Sequence, residues 1–200
     1  SYVASVTTAE GTVTKYETLA EAAKAVVNSK LKGATVALLT DVDLGTKALS
    51  FYGGPADITL DLGGHTLTSA NTSTVDLTTT GLTIQNGTIK NTRSGAPTPS
   101  TGALYVTISS STTLKNLKVE STTYGILFRF NKGVGIVTVE DGVEITGAVE
   151  GVRVYASPDY NKYQTYTGKA TLNVNGGTIS GKDAGISVFG PAIKYTKSSA

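Results

Sequence analysis

The 200-residue sequence has no cysteine, no methionine and no tryptophan, one histidine and five prolines. Zero cysteine excludes disulfides, thiolate metal sites and a cysteine nucleophile. It leaves the compartment open, since exported proteins often lack disulfides. Without methionine, Ser1 is expected to be either the mature end left by signal removal or a boundary inside a longer chain. Charged residues make up only 16% and the net charge is +2. No basic tract is present, so nucleic acid is not an expected partner. No apolar run is long enough to span a bilayer. The single histidine, His65, would need a nucleophile and a carboxylate beside it in space to act as a triad base. It sits between Gly64 and Thr66, where a structural or surface role is the simpler expectation.

What is abundant is threonine, 33 residues, together with 23 glycines. Thr, Val and Ile favour pleated strands, and Gly and Asn supply corners. The corners repeat. Leu62-Gly63-Gly64-His65-Thr66-Leu67 has the pattern apolar, any, turn-former, any, polar, apolar. The pattern returns at Ile84–Ile89, Leu114–Val119 and Val174–Ile179. It is fainter at Leu39–Leu44, and at Val139–Ile145 it carries one extra residue. The turn column reads Asp41, Gly64, Asn86, Asn116, Asp141 and Gly176, the residue types that best tolerate left-handed backbone or form Asx turns. Successive copies are 23, 22, 30, 25 and 35 residues apart. Such spacing marks a stacked, one-dimensional architecture. No helix-length apolar segment separates the copies, so the unit is all-β.

A second strand signal follows the later copies: Gly125-Ile126-Leu127-Phe128, Gly151-Val152-Arg153-Val154 and Gly185-Ile186-Ser187-Val188. Gly102-Ala103-Leu104-Tyr105 reads as the same strand, displaced by an insertion. Strand and turn signals at fixed separation imply coils that pair in parallel with those above and below. Crossovers between parallel strands are almost always right-handed. The expected fold is therefore a right-handed parallel β-helix of about five or six coils, all-β apart from one helix. An antiparallel sandwich, which also has short strands at even spacing, is the alternative.

Residues 1–33 read as an N-terminal cap and 34–200 as the β-helix. Tyr2, Val3, Ala4, Ser5, Val6 and Thr7 alternate as a strand. Ala9-Glu10-Gly11 can turn it into a hairpin with Thr12–Tyr16, or it can pair with another subunit. Thr18-Leu19-Ala20-Glu21 is a capping box. Leu19, Ala22, Ala23, Val26 and Val27 then lie on one face of a helix expected over Leu19–Asn28. A solenoid must cover its raw end, and this helix is placed to do so.

Tyr16-x-x-Leu19-x-x-Ala22, then Thr35-Val36-x-Leu38-Leu39-x-Asp41-Val42, then Ile58-Thr59-Leu60-Asp61-Leu62-x-Gly64-His65-Thr66-Leu67 together resemble the start of β-helical repeat domains of bacterial cell-surface, adhesin-like proteins. The resemblance is good over residues 16–90 and rests on the coil pattern alone beyond. It implies an exported or surface-located protein and carries no catalytic motif.

Function is expected in the loops, since a rigid scaffold commonly presents its binding residues there. Asn91–Thr101 is a Pro/Ser/Thr insertion. A second insertion, Tyr155 to Lys169, holds Tyr155, Tyr160, Tyr163 and Tyr166, whose rings suit sugars or partner surfaces; covering the coil beneath is the simpler expectation for them. The primary expectation is an extracellular structural or adhesive module, with end-to-end assembly through Tyr2–Thr7 as its mode of association. Its partners would be further copies, other surface proteins or glycans. The first alternative is a carbohydrate-binding domain that uses the Tyr-rich loop; a polysaccharide-cleaving enzyme ranks below it, with Arg129, Arg153, Glu140, Asp141, Glu144 and Glu150 as its candidates. Fold alone does not license that activity, and glycoside hydrolysis needs two carboxylates at a set distance. Stacked in register, the outward acids Asp43 and Asp61 raise a calcium site, but solvated surface charge is the stronger expectation, and no cofactor is implied. A flat threonine array of the ice-binding kind is rejected, because the fifth column reads Asp43, Thr66, Thr88, Lys118, Glu144 and Thr178.

Overall fold

A computed structural model describes residues 1–129, 133–155, 168–189 and 197–198. The chain begins as a hairpin of β1 (Ala4–Thr7) and β2 (Val13–Tyr16). Gly11, at φ 93°, donates to the Thr8 carbonyl in the turn. Strand β3 (Thr35–Leu38) takes the other edge of β1, also antiparallel. Both edges of Ala4, Ser5, Val6 and Thr7 are thus used within the chain. Val3 is tied to Tyr16 and Leu39 in the same way. This replaces the alternative of a free N-terminal strand pairing with another subunit, and only Tyr2 stands out into solvent.

Helix α1 runs over Leu19–Asn28, as the pattern predicts. Thr18 and Glu21 exchange both capping-box hydrogen bonds. Leu19, Ala22, Ala23 and Val26 are buried against the hairpin and the first coil. Helix and hairpin together close the solenoid's N-terminal end.

Beyond β3 the chain winds into a parallel β-solenoid of about five turns. Each turn has three strand directions. The first face holds β3, β6 (Thr59–Asp61), the start of β9 (Leu82–Asn91), the start of β11 (Ser110–Ser121), β13 (Val134–Val139) and β16 (Lys169–Val174). The two-residue β19 (Lys197–Ser198) pairs with β16. The second face holds β4 (Val42–Asp43), β7 (Thr66–Ser69), the later halves of β9 and β11, β14 (Glu144–Gly147) and β17 (Thr178–Gly181). The third is a separate sheet of β5 (Leu49–Ser50), β8 (Ser73–Asp76), β10 (Gly102–Val106), β12 (Tyr124–Arg129), β15 (Glu150–Tyr155) and β18 (Ala184–Phe189).

Register turns the apolar pattern into columns. The first face stacks Val36, Leu60, Ile84, Leu114, Val139 and Val174. The second stacks Val42, Leu67, Ile89, Val119, Ile145 and Ile179. The third stacks Leu49, Val75, Leu104, Ile126, Val152 and Ile186. Each fully buried aliphatic side chain contributes about 1.5–3 kcal/mol, and the three columns meet in one core.

The corner between the first two faces holds the turn column of the sequence repeat. Asn86 and Asn116 adopt φ of 62° and 40° there. In two later coils the left-handed residue is Gly142 and Gly177, one place beyond the Asp141 and Gly176 of the turn column. The first copy is also displaced. Leu67 lies opposite Val42, not Leu44, because the corners around Gly63-Gly64 and Asp41 differ in length from the later ones. In the second strand signal, Ala103 rather than Gly102 stands opposite Gly125.

Candidate functional site

The third face carries the most developed site. Its outward column is Ser50, Asp76, Tyr105, Leu127, Arg153 and Ser187. A leucine on an outward position should be exposed, yet Leu127 is 0% exposed and lies outside the main core cluster. The cover is the 91–101 insertion, which folds back over the sheet. Arg129 Nη1 donates to Ser100 Oγ at 3.1 Å, and Thr122 Oγ1 donates to the Arg93 carbonyl at 2.5 Å. Thr98 and Thr101 brace the turn by exchanging hydrogen bonds of 3.0 Å. Between insertion and sheet lies a cleft of about 270 Å³, lined by Pro97, Thr98, Pro99, Tyr124, Leu127, Arg153 and Tyr155.

Its polar wall is a fixed network. Arg153 Nη1 is 3.0 Å from Glu150 Oε1, and its guanidinium lies 5.2 Å from the centroid of the Tyr124 ring. Ser187, on the next coil, donates to Glu150 Oε2. Glu150 is only 7% exposed. A buried carboxylate is stable there because a guanidinium and a hydroxyl satisfy it. Burial pushes the Tyr124 phenol pKa up, with Arg153 opposing and Glu150 adding to the rise. Tyr124 therefore stays a neutral hydrogen-bonding ring through the physiological range. The cleft combines two aromatic rings, two proline rings and a leucine with one ion pair, the usual composition of a small-ligand site.

Of the tyrosines singled out in the sequence, Tyr155 lines this cleft; Tyr160, Tyr163 and Tyr166 lie outside the described residues. Sequence reading missed Tyr124, Pro97, Pro99 and Leu127 as site residues. The available signal was Leu127 itself, an aliphatic residue at an outward position of the second strand pattern. The acids named for the enzymatic alternative separate. Glu150 joins Arg153. Glu140 accepts from Asn175 at 3.2 Å near the first corner, and Glu144 lies opposite Lys118 on the second face. Arg129 is turned to the insertion. Asp43 and Asp61 cap the backbone amides of Gly45 and Gly63, and no group of three or more metal-ligating side chains occurs among the described residues. His65 Nδ1 is 3.5 Å from Asp41 Oδ1 in an exposed corner.

The second face offers two shallower hollows, of about 420 and 470 Å³, which share Lys118 and Glu144. Lys118 is 2.9 Å from Glu120. That hydrogen bond, with the charges of Glu120 and Glu144, holds the Lys118 pKa up. The register places Thr66, Thr88, Lys118, Glu144 and Thr178 in one column, so the threonine row on this face is interrupted by charge. A continuous row exists elsewhere. Thr35, Thr59, Thr83, Thr113 and Thr138 stack on the first face, and Asn173 continues the row by donating to Thr138 Oγ1 at 3.3 Å. Its neighbouring column is charged and mixed, with Asp61, Gln85 and Lys115 in register. The row is a cross-strand ladder that stabilises stacking.

Fold and site together define the chain as a capped parallel β-solenoid with a cleft roofed by an insertion. No family model, curated protein or solved structure matches it.

Proposed function

We propose that the chain is an adhesive module of an exported, surface-located protein, and that it holds a saccharide in the cleft beneath the 91–101 insertion. The observation that carries this reading is the burial of the outward-facing Leu127 under Pro97 and Pro99, beside Tyr124, Arg153 and Tyr155. A chain that only needed stacking coils would have no reason to bury an outward-facing leucine beneath an insertion. Aromatic and proline rings offer flat apolar surface to the C–H face of a sugar. The solenoid supplies rigidity and reach, the requirements of a surface module.

The reading is non-enzymatic. Glu150 is held by both Arg153 and Ser187, which leaves it poorly placed to trade protons. The acids at Glu140 and Glu144 sit at another corner and face. The test is a glycan array probed with the intact chain and with Tyr155→Ala. Retention of a defined glycan set, weakened about tenfold or more by the substitution, supports the reading. Retention that is unchanged in Tyr155→Ala, or no retention at all, overturns it.

A further inference from the structure

We infer that the cleft selects neutral saccharides over anionic ones, and that Glu150 is the residue that sets this choice. The inference rests on the saccharide-binding reading above and adds the chemical class of the ligand. An arginine in a sugar-sized cleft suggests at first an acidic ligand. Here its charge is already matched. Arg153 Nη1 is 3.0 Å from Glu150 Oε1, and the two side chains are 21% and 9% exposed. The second Glu150 oxygen accepts the Ser187 hydroxyl.

The arrangement is imposed by the coils. Glu150 and Arg153 lie on one strand, and Ser187 stands opposite Arg153 in the next. Tyr124, opposite Glu150 in the preceding coil, receives the guanidinium on its ring. Arg153 is thus held from both sides and cannot swing out to a new anion without stranding Glu150. A buried carboxylate left without its cation is strongly unfavourable. An anionic ligand close enough to share Arg153 would also meet the Glu150 charge in a medium that screens it poorly. A neutral ring meets neither cost. It can rest on the remaining wall of Pro97, Pro99 and Tyr155.

The experiment titrates the intact chain with neutral hexose trisaccharides and with the matching uronate trisaccharides. The wild type is expected to favour the neutral members by about tenfold or more. Glu150→Gln keeps the shape and removes the opposing charge, so it should shift the ratio toward uronates by about tenfold or more. Glu150→Gln combined with Arg153→Gln removes both charges and should restore the neutral preference. Uronates bound as tightly as neutral sugars by the wild type would overturn the inference, as would an unchanged ratio in a folded Glu150→Gln. If Glu150→Gln does not fold, the wild-type ratio decides alone. Absence of binding to every saccharide would instead overturn the saccharide reading itself.

Discussion

Asn116 Nδ2 donates to Asn86 Oδ1 at 3.1 Å, joining two left-handed corner residues in successive coils. Asn86 Nδ2 in turn donates to Asp61 Oδ2 at 3.0 Å, and Gln85 Nε2 meets the same oxygen. Asparagine is useful at this corner for two reasons, since it tolerates left-handed backbone and also bonds along the stack. The two contributions are separable. Asn86→Gly keeps the backbone and loses the ladder, which should cost about 1–2 kcal/mol. Asn86→Ala loses both and should cost about 1–2 kcal/mol more. Denaturant unfolding of the two variants checks this. Equal losses would mean that the backbone conformation contributes nothing.

Gly125 and Gly151 serve close approach, with no special φ. A Cβ on Gly125 would come within 2.5 Å of Ile145 Cγ2 and 2.6 Å of the Gly151 carbonyl. Gly125→Ala should therefore destabilise by about 1–3 kcal/mol or more, since a backbone atom cannot yield as a side chain can. Ala103, at the equivalent place one coil earlier, is fully buried, so a methyl fits at that position. Ala103→Gly should cost less than Gly125→Ala in the same thermal-melt series.

Asp76 sits half-buried on the third face, and burial raises its pKa above the ordinary 3.8 despite a hydrogen bond from Ser73. A carboxyl raised on folding favours the folded state when protonated. Its stabilising effect is present below about pH 3.8 and is lost as pH rises through the higher folded-state value. Asp76→Asn should then raise the melting temperature at neutral pH and flatten this part of the stability–pH curve. A melting temperature lowered at pH 7 but unchanged at pH 3 would contradict the assignment.

Thr18→Ala should cost about 1 kcal/mol by removing the α1 cap. Val26, fully buried on the inner side of the helix, is the sharper probe. Val26→Asp should lift α1 from the solenoid end and expose strand edges that recruit other chains. Light scattering should report association for this variant beyond that of the wild type. If the variant folds and scatters like the wild type, the helix is not what protects that end.

The coil architecture was legible because one residue type per column repeats. Aliphatic columns, Asn86 and Asn116 at the corner, and the Thr18–Glu21 capping box all act locally, and local chemistry survives in sequence. The misplaced elements have a common cause. Pairing of Val42 with Leu67, and of Ala103 with Gly125, depends on how many residues each corner absorbs. The fate of Tyr2–Thr7 depended on competition between a neighbouring strand and another chain, which strand periodicity does not decide. The cleft was partly legible through Tyr155 and Arg153. Its floor and roof were not, because Leu127 and Pro97–Pro99 meet only after the insertion folds back across two coils.

The most direct measurement is solution NMR of the intact, isotope-labelled chain titrated with a neutral trisaccharide retained on the array. Chemical-shift changes centred on Pro97–Pro99, Tyr124, Leu127, Arg153 and Tyr155 are expected. Changes centred on Lys118 and Glu144 of the second face, or none at saturating sugar, would contradict saccharide binding beneath the insertion.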